Sequence, residues 1–385
     1  MKELEKFRGL EIVVFGAGEG GRFFIHFLKQ KGFLVRECFD NDPKKNGMLL
    51  WDDVRVCAPY FKGVDTVIAV YFESKLVAAD VKRQCTEMGY RHFWCPRWMD
   101  IHRSVFFSYK DIADRKSIED FWYMMMGLPL DIDHPKSFNE KLQWLKLYNK
   151  NPLLRIMADK YAVKKYVGDM IGWDKVIPTL GVWGSYEEID FDLLPDKFVL
   201  KCTHDSGTAE IIKSKAQINH EELQKKFREA LACDYYLLGR EWCYKDIPRR
   251  IIAEPLMGEE LKDYKVHVFG GKPKLIQVDM GRFSVHKRNI YTPQWEFLDL
   301  SILYPVAPEL IEDKPAVLDE MLAIAAKLAG DLVYVRVDMY LVEGRIYFGE
   351  MTFYHGSGYE PFNPGNWNDI MGGWIQLPHE KEACP

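Results

Sequence analysis

The sequence predicts an α/β protein that begins with a parallel sheet and continues into a mixed α+β region. The first part of this prediction rests on a glycine-rich turn between an apolar run and an amphipathic helix, a pattern typical of nucleotide-binding βαβ units. The second part rests on two pairs of alternating runs, rich in β-branched and aromatic residues, in the last third of the chain. Such pairs indicate antiparallel hairpins.

Length and composition limit the possible classes of protein. The chain has 385 residues and should contain two or three domains. It is 48% hydrophobic and 28% charged, as in an ordinary soluble protein, and its net charge of -5 offers no basic surface for nucleic acid. We find no signal-peptide pattern and no apolar run near the ~20 residues of a membrane span. Eight cysteines without a C-x-x-C pair indicate reduced thiols, as in the cytoplasm.

Residues 1–100 have the pattern of a small Rossmann-like domain. A short apolar run ends at a G-x-G-x-x-G turn, a helix follows, and a second apolar run ends at an acidic residue about 20 positions further on. The glycines would let the backbone approach a phosphate, and the acid would hold a ribose hydroxyl. Binding of a nucleotide or nucleotide sugar, NAD-dependent redox chemistry and a purely structural or interaction role all remain open. The candidate ligand-binding residues are Gly16, Gly18, Gly21 and Asp40.

Two lysines in the middle of the chain are candidate phosphate ligands. Lys160 follows Asp159 inside a stretch, residues 153–167, whose periodicity predicts one helix. An Asp-Lys pair there is ordinarily a solvated face. Lys201 lies on a predicted strand beside the small-polar turn 202–208, and a lysine next to such a turn can clamp phosphate together with backbone N–H groups. A plain surface hairpin is the alternative, and His204 in the turn is a ligand, a base or a brace for the loop.

Further charged residues lie on predicted strands after residue 250. Glu254 ends an apolar strand before a proline. Residues 263–269 then alternate, turn at 270–273 and return as 274–280, shortly before Arg282. This pattern predicts a hairpin, and the strand period of two places Asp263, Lys265 and His267 on one face.

The strongest hairpin pattern lies between residues 334 and 358. We take Glu343-Gly344-Arg345 as the loop, which sets the register of the two strands. The predicted facing pairs are Val342–Ile346, Tyr340–Phe348, Asp338–Glu350 and Arg336–Thr352. The predicted core face consists of Val335, Val337, Met339, Leu341, Tyr347, Gly349, Met351 and Phe353.

Two opposed carboxylates destabilise a sheet unless something compensates for their charge. One compensation is a divalent cation, since Mg²⁺ takes one or two carboxylates together with substrate phosphates. The other is a structural salt bridge from Arg336. The register matters, because a two-residue loop would slip it and turn Asp338 and Glu350 to opposite faces.

The order of these features resembles one family. The phrases that carry the resemblance are SFNEKLQWLKLYNKNPLLRIMADKYAVKKYV, LPDKFVLKCTHDSG, IIAEPL, DYKVHVFGGKPK, VRVDMY and FGEMTFYHGSG. They are similar to the TupA-like ATP-grasp family of bacterial teichuronopeptide and capsule biosynthesis, over roughly Ser137 to Gly358. The implied fold is an ATP-grasp region over residues 101–385, divided into a helical part (101–175), a lid (176–253) and a catalytic part (254–385).

The resemblance also implies roles for individual residues. Many ATP-grasp enzymes have Asn where this chain has Thr352, which puts a second metal ion in doubt. The implied roles are Lys160 and Lys201 on the ATP phosphates, His204 to Thr208 (with Ser206 and Gly207) as the loop over the γ-phosphate, Glu254 and Leu256 at adenine or ribose, Lys265 and Arg282 toward the transferred phosphoryl group and acyl phosphate, and Asp338, Glu350 and Thr352 on Mg²⁺.

The implied activity is an ATP-dependent carboxylate–amine ligase with ATP and Mg²⁺ as cofactors. Its substrates would be a sugar carboxylate, such as a uronic acid of a glycan or nucleotide-sugar precursor, and an amino acid or small amine. ATP would phosphorylate the carboxylate, and the amine would displace phosphate. A small-molecule kinase of the same fold and a non-catalytic nucleotide-binding scaffold of a glycan-assembly complex are the alternatives.

Overall fold

The structure is a computed structural model that describes residues 4–50, 53–72, 75–96, 98–258, 262–280 and 287–378. The chain divides into two compact units, residues 1–130 and 131–385.

The first unit contains a sheet in the order β3-β4-β2-β1-β5-β6. All neighbouring strands in it are parallel except β3 and β4. The predicted parallel sheet is therefore confirmed. The elements are β1 Glu11–Phe15, α1 Glu19–Gln30, β2 Val35–Phe39, β3 Leu49–Leu50, β4 Val54–Cys57, β5 Thr66–Val70, α2 Lys75–Glu87, β6 His92–Trp94, α3 Trp98–Ser108 and α4 Asp114–Met126.

The first compact unit extends to residue 130, and the sequence analysis placed a domain boundary at residue 100. Helices α3 and α4 belong to the first unit because they pack on α1. Phe106 of α3 lies 5.4 Å from Phe23 of α1 and 4.7 Å from Phe121 of α4, between ring centroids. Arg22 of α1 also donates to the carbonyl oxygen of Met125 at the end of α4.

Helices pack on two antiparallel sheets of the second unit, and β15 and β18 form a third, two-stranded antiparallel sheet among its described residues. The smaller sheet has the order β7-β10-β8-β9, and the larger has the order β14-β13-β12-β11-β16-β17. Helix α10 packs against β11, β12 and β16 of the larger sheet. The elements are α5 Phe138–Tyr148, α6 Leu153–Ala158, α7 Val163–Ile171, β7 Gly181–Trp183, β8 Phe198–Cys202, β9 Ala209–Ile212, α8 His220–Ala232, α9 Tyr236–Gly239, β10 Ile251–Pro255, β11 Lys262–Phe269, β12 Lys272–Met280, β13 Lys287–Tyr291, β14 Phe297–Leu298, β15 Ser301–Ile302, α10 Leu318–Ala329, β16 Tyr334–Val342, β17 Arg345–Thr352, β18 Phe362–Asn363 and α11 Trp367–Trp374.

The helix predicted over residues 153–167 is broken into α6 and α7 at Asp159. Asp159 is 3% exposed, and its Oδ1 accepts from the backbone N–H of Tyr161 and Ala162 at 2.9 and 3.2 Å. A short acidic side chain that bonds the backbone just ahead competes with helix continuation. The interpretation of Asp159-Lys160 as a solvated mid-helix pair is therefore wrong.

The β16–β17 hairpin has a two-residue turn, so the predicted three-residue loop is wrong. Val342 pairs with Arg345, and Glu343 and Gly344 between them have φ values of 51° and 77°. Two positive φ values in sequence are typical of a type I′ turn, whose twist suits the flanking strands. The predicted pairs nearest the turn, Val342–Ile346 and Tyr340–Phe348, are consequently wrong by one residue.

A register shift between Asp338 and Met339 restores the predicted register further from the turn. Met339 pairs with Phe348 and Asp338 pairs with Glu350, which leaves Gly349 as the extra residue of a β-bulge. The predicted pairs Asp338–Glu350 and Arg336–Thr352 are therefore confirmed. On β17 the buried residues near the turn are Ile346 and Phe348, rather than Tyr347 and Gly349.

Candidate active site

Asp338 lies at the centre of a buried group of charges on one face of the larger sheet. Its side chain is 2% exposed, and both carboxylate oxygens accept hydrogen bonds from Arg336. Arg336 Nε donates to Oδ1 at 2.7 Å and Nη2 donates to Oδ2 at 2.6 Å. A bidentate arginine–carboxylate pair fixes both charge and geometry. Burial would raise the pKa of Asp338, but Arg336 and Lys265 hold it well below its usual range.

Lys265 of β11 is the second cation on Asp338. Its Nζ donates to Asp338 Oδ2 at 2.9 Å and also bonds Asp263, and it lies 4.0 Å from Asp279. The strand period thus places Asp263 and Lys265 on one face, as predicted. Burial alone would lower the pKa of Lys265, but Asp338 and Asp263 raise it, so it is charged at neutral pH.

Arg336 is also supported from its far side by His355, Glu360 and Arg288. Arg336 Nη1 donates to Nδ1 of His355 at 2.8 Å, and Nε2 of that ring lies 3.0 Å from Glu360. Arg288 donates to Glu360 at 3.1 Å and to Asp279 at 2.8 Å. Burial lowers the pKa of His355, although Glu360 opposes this, so the ring is neutral and accepts from Arg336. Charges therefore alternate in sign along the face.

Glu350 and Thr352 face the same side from β17. The Glu350 side chain is 43% exposed and lies 3.5 Å from Arg336, whereas Thr352 Oγ1 accepts from Arg336 at 3.1 Å. Glu350 is thus the accessible member of the carboxylate pair and Asp338 the buried one.

This donor set fits a hard divalent cation. Two carboxylates and a hydroxyl are oxygen ligands, and Mg²⁺ uses few protein ligands because substrate phosphates and water complete its shell. In the described part of the chain, no cluster of three or more His, Cys, Asp and Glu side chains is placed to hold a metal ion. Any cation at this site would rely on the Asp338–Glu350 pair.

A second cluster joins two lysines to one carboxylate at the smaller sheet. Glu254 of β10 bonds Lys201 of β8 at 2.5 Å through Oε2 and Lys164 of α7 at 2.6 Å through Oε1. Burial would raise the pKa of Glu254, but the two lysines lower it. The structure therefore brings together Lys201 and Glu254, both selected from the sequence, and adds Lys164. Leu256 follows β10 and is half-buried.

The loop between β8 and β9 folds onto Lys160. Lys160 Nζ donates to the carbonyl oxygens of Cys202, at 3.1 Å, and of Asp205. His204 is 2% exposed, and its Nε2 lies 3.1 Å from the carbonyl oxygen of Ala230, which places this ring as a brace between the loop and α8. Ser206 is exposed, and Gly207 has a φ of 96°.

In the first unit, Asp40 binds its own surroundings. Oδ2 accepts from the backbone N–H of Ala17 at 2.7 Å, and Oδ1 accepts from that of Asp42 at 2.8 Å. Lys45 Nζ lies 3.1 Å away. The carboxylate thus connects the glycine-rich turn to the end of β2.

Two of the three glycines in that turn have a structural reason to be glycine. Gly16 has a φ of 104°, and a Cβ at Gly21 would lie 1.6 Å from the carbonyl oxygen of Gly16. Gly21 is therefore required for the close packing of α1 on the turn. A Cβ at Gly18 would meet nothing within 4 Å, so this position is open.

A model of the TupA-like ATP-grasp family matches residues 140–376, which is more than half of the chain. The chain belongs to the TupA-like ATP-grasp family. The matched range spans both charge clusters of the second unit, whose fold is therefore an ATP-grasp ligase fold. No curated protein matches the chain at a significant level.

Among solved structures, three similar folds are the following. D-alanine–D-alanine ligase from Bacillus anthracis complexed with ATP is 12% identical, with 90% of this chain and 86% of that chain covered and a TM-score of 0.33. L-amino acid ligase from Bacillus licheniformis is 15% identical, with 91% and 70% covered and a TM-score of 0.34. N5-carboxyaminoimidazole ribonucleotide synthetase from Thermus thermophilus is 13% identical, with 89% and 71% covered and a TM-score of 0.29.

Arg282, expected near the acyl phosphate, lies outside the described residues. Sequence reasoning missed Lys164, because nothing in the sequence around a lysine of an amphipathic helix indicates that the lysine is buried. In the structure its side chain is only 11% exposed, which is exceptional for lysine.

None of the helices in the described ranges is long and apolar enough to cross a membrane.

Proposed function

We propose that this protein is an ATP-dependent ligase that joins a sugar carboxylate to an amine through an acyl phosphate. The observation that carries the proposal is the buried face around Asp338. Two cations, Arg336 and Lys265, are fixed there beside a carboxylate pair. Phosphoryl transfer depends mostly on positioning and on stabilising charge in the transition state, and these residues supply fixed charges of both signs.

ATP would bind between two lysines, Lys160 and Lys201, and the Asp338–Glu350 carboxylate pair. Lys201 and Lys160 would turn from their protein partners toward phosphoryl oxygens, and Glu254 would then be left to accept a ribose hydroxyl or the adenine amino group. The loop 202–208 would close over the γ-phosphate, because its backbone carbonyls no longer bond Lys160. Arg282 would lie toward the acyl phosphate.

Mg²⁺ would be held by Asp338, Glu350 and Thr352. When bound, the ion would neutralise charge that develops on the β- and γ-phosphates. Arg336 keeps Asp338 ionised and oriented for this purpose, and Glu350 reaches the site from the exposed side. Lys265 remains on Asp338 Oδ2, which leaves Oδ1 with a single hydrogen bond and a free lone pair.

The acceptor is proposed to be a uronic acid in a cell-surface polysaccharide or its nucleotide-linked precursor, handled in the cytoplasm. Family membership supports this choice of substrate. The first unit would present a nucleotide sugar through Gly16, Gly18, Gly21 and Asp40, and the open position at Gly18 supports close approach of a phosphate. The amine substrate would be an amino acid or a small amine.

The test is to incubate the protein with Mg²⁺-ATP and a matrix of UDP-uronic acids and amino acids, followed by mass spectrometry. We expect ADP together with an adduct that has lost one water, and only when both substrates are present. AMP and pyrophosphate would refute the acyl-phosphate route. ADP with a phosphorylated compound and no amine requirement would make the protein a kinase, and ATP binding without turnover would favour a scaffold.

A further inference from the structure

A buried lysine of α5 bonds the tight turn that follows β17. Lys146 is 2% exposed, and its Nζ lies 2.8 Å from the carbonyl oxygen of Ser357 and 2.9 Å from the hydroxyl of the same residue. Its third partner is Oε1 of Gln143, also at 2.9 Å. Gln143 in turn donates to the carbonyl oxygens of Ser357 and Gly358 at 3.0 and 3.1 Å.

The turn itself is strained and closely packed. Gly356, Ser357 and Gly358 have φ values of 53°, 52° and 70°, and a left-handed conformation is unfavourable for serine. A Cβ at Gly358 would lie 2.4 Å from Nε2 of Gln143. Strain of this kind is retained where the surrounding structure enforces it, and it concentrates at functional sites.

The three partners of Lys146 suit both of its protonation states. Two of them, the Ser357 and Gln143 carbonyl oxygens, can only accept. The third, the Ser357 hydroxyl, can donate or accept. A neutral amine has two N–H groups and one lone pair, so it satisfies all three partners, and so does an ammonium. Lys146 can therefore gain or lose a proton through Ser357 without repacking.

The electrostatic surroundings keep these two states close in free energy. Burial lowers the pKa of Lys146 to about 8, although Glu241 and Cys243 oppose the shift. Nζ also lies 4.8 Å from the ring centroid of Tyr359. Burial raises the pKa of Glu241, which Lys146 opposes.

The turn is joined to the buried face around Asp338 through its first residue, His355, which accepts from Arg336. It begins three residues after Thr352 and follows the strand that carries Glu350, and Ser357 is partly exposed whereas Lys146 behind it is not. Arg336 also holds Asp338, so the turn and the buried carboxylate share one arginine.

We propose that Lys146, acting through the hydroxyl of Ser357, is the base that deprotonates the amine substrate, a primary amine that is an ammonium ion at neutral pH. This inference rests on the proposed ligase function. The ammonium gives a proton to Ser357 Oγ while the Ser357 hydroxyl proton passes to Lys146 Nζ. The amine nitrogen then forms the C–N bond, the C–O bond to phosphate breaks, and the leaving phosphate takes the second amine proton.

The experiment compares two nucleophiles in Lys146→Met and in the wild-type protein, with UDP-glucuronic acid as acceptor. The amino group of alanine is protonated at neutral pH, so it needs a base before it can attack. Hydroxylamine is unprotonated at neutral pH and needs no base. We expect Lys146→Met to lose about 10²-fold in kcat with alanine, the low end for general-base catalysis, and to recover at high pH. Hydroxamate formation should stay near the wild-type rate.

Two further variants separate base catalysis from a clamping role. Ser357→Gly tolerates the left-handed φ and removes the hydroxyl together with its Cβ, so it should reproduce the selective loss with alanine. Gln143→Met removes the neighbouring hydrogen bonds to the same turn without removing a titratable group. It should therefore lower the reaction rate equally with both nucleophiles and leave the acidic limb of the pH–rate profile unchanged. Equal losses with both nucleophiles in Lys146→Met would overturn the proposal.

A direct titration does not depend on turnover. The Nζ resonance of Lys146, assigned by its absence in Lys146→Met, should titrate near pH 8 in an NMR experiment. A midpoint at the ordinary lysine pKa, about 10.4, would overturn the proposal even if the ligase is active. Wild-type protein that forms no hydroxamate would instead refute the ligase function with this acceptor.

Discussion

The second unit contains two cation–carboxylate clusters that differ in how firmly they are held. Glu254 binds Lys201 and Lys164 through one contact per oxygen, and the Lys201 side chain is 23% exposed. Asp338 is 2% exposed and is bound by a bidentate arginine and a lysine, with His355 and Glu360 behind them. The first cluster can therefore rearrange when a ligand arrives, whereas the second is organised in advance.

The difference shows what each cluster is suited to do. Lys201 holds a single contact at a partly exposed position, so its long side chain can exchange Glu254 for phosphoryl oxygens at small cost. A buried network loses much more when one member is removed, because the remaining charges stay buried without compensation. Variants of the two clusters should therefore differ in kind as well as in size.

The largest effect is expected for Asp338→Asn. Removing this charge leaves Arg336 and Lys265 without their main partner, so unfolding free energy should fall by about 3–5 kcal/mol and ADP formation should be abolished. Denaturant unfolding and an ADP assay would measure the two effects. Asp319→Asn, at an 89% exposed carboxylate, is the control and should change neither.

Glu350→Gln should abolish activity with little loss of stability, and a stability loss equal to that of Asp338→Asn would contradict the contrast between buried and exposed members.

A smaller effect is expected for Lys201→Met. The lysine makes a charged hydrogen bond to Glu254 in this structure and would make one to phosphate in the complex, so the KM for ATP should rise about 10- to 100-fold, equivalent to ~1.5–3 kcal/mol. Stability should change little. Steady-state kinetics at varied ATP would measure it, with Lys165→Met, at a 79% exposed lysine, as the matched control. An unchanged KM would remove Lys201 from the ATP site.

Acid should remove the stabilisation that Glu360 gives to the buried network. Burial would raise the pKa of Glu360, but His355 and Arg288 lower it to about 2. Since the folded-state pKa lies below the unfolded value near 4.3, this group stabilises the fold at neutral pH and loses that contribution as pH falls from about 4.3 to 2. Glu360→Gln should therefore be less stable than wild type at pH 7 and show a flatter decline on acidification. Parallel stability curves for the two proteins would show that Glu360 is not part of the network.

The smallest effect on ATP chemistry is expected for Asp40→Asn in the first unit. The charge accepts from two backbone N–H groups and lies near Lys45, so its loss should cost about 1–2 kcal/mol of stability in that unit. The KM for ATP should not change, because Lys160 and Lys201, which are proposed to bind the ATP phosphates, lie in the second unit. The KM for a UDP-uronic acid should rise if the first unit presents the sugar nucleotide. A raised KM for ATP would contradict the separation of roles.

The Asp338–Glu350 pair shows how far sequence reasoning reached and where it failed. The loop length was wrong, and a two-residue turn alone would have put Asp338 and Glu350 on opposite faces. The bulge at Gly349 offset the slip, so the predicted pairing of Asp338 with Glu350 was right although the pairs near the turn were not. A bulge depends on packing at a particular place in the sheet, and a Cβ at Gly349 would lie 3.0 Å from the carbonyl oxygen of Asp338. Strand alternation contains no signal for it.

The sequence by itself determined the fold class, the family and the residue types of the candidate site, because periodicity, glycine positions and motif order are local properties of the chain. Tertiary structure alone decided which groups meet. It buried Lys164 against Glu254 and placed Lys146 behind Ser357, which lies 211 positions further along the chain. Such contacts are set by the packing of distant elements, and the free energy of a buried charge depends on these neighbours rather than on its own segment.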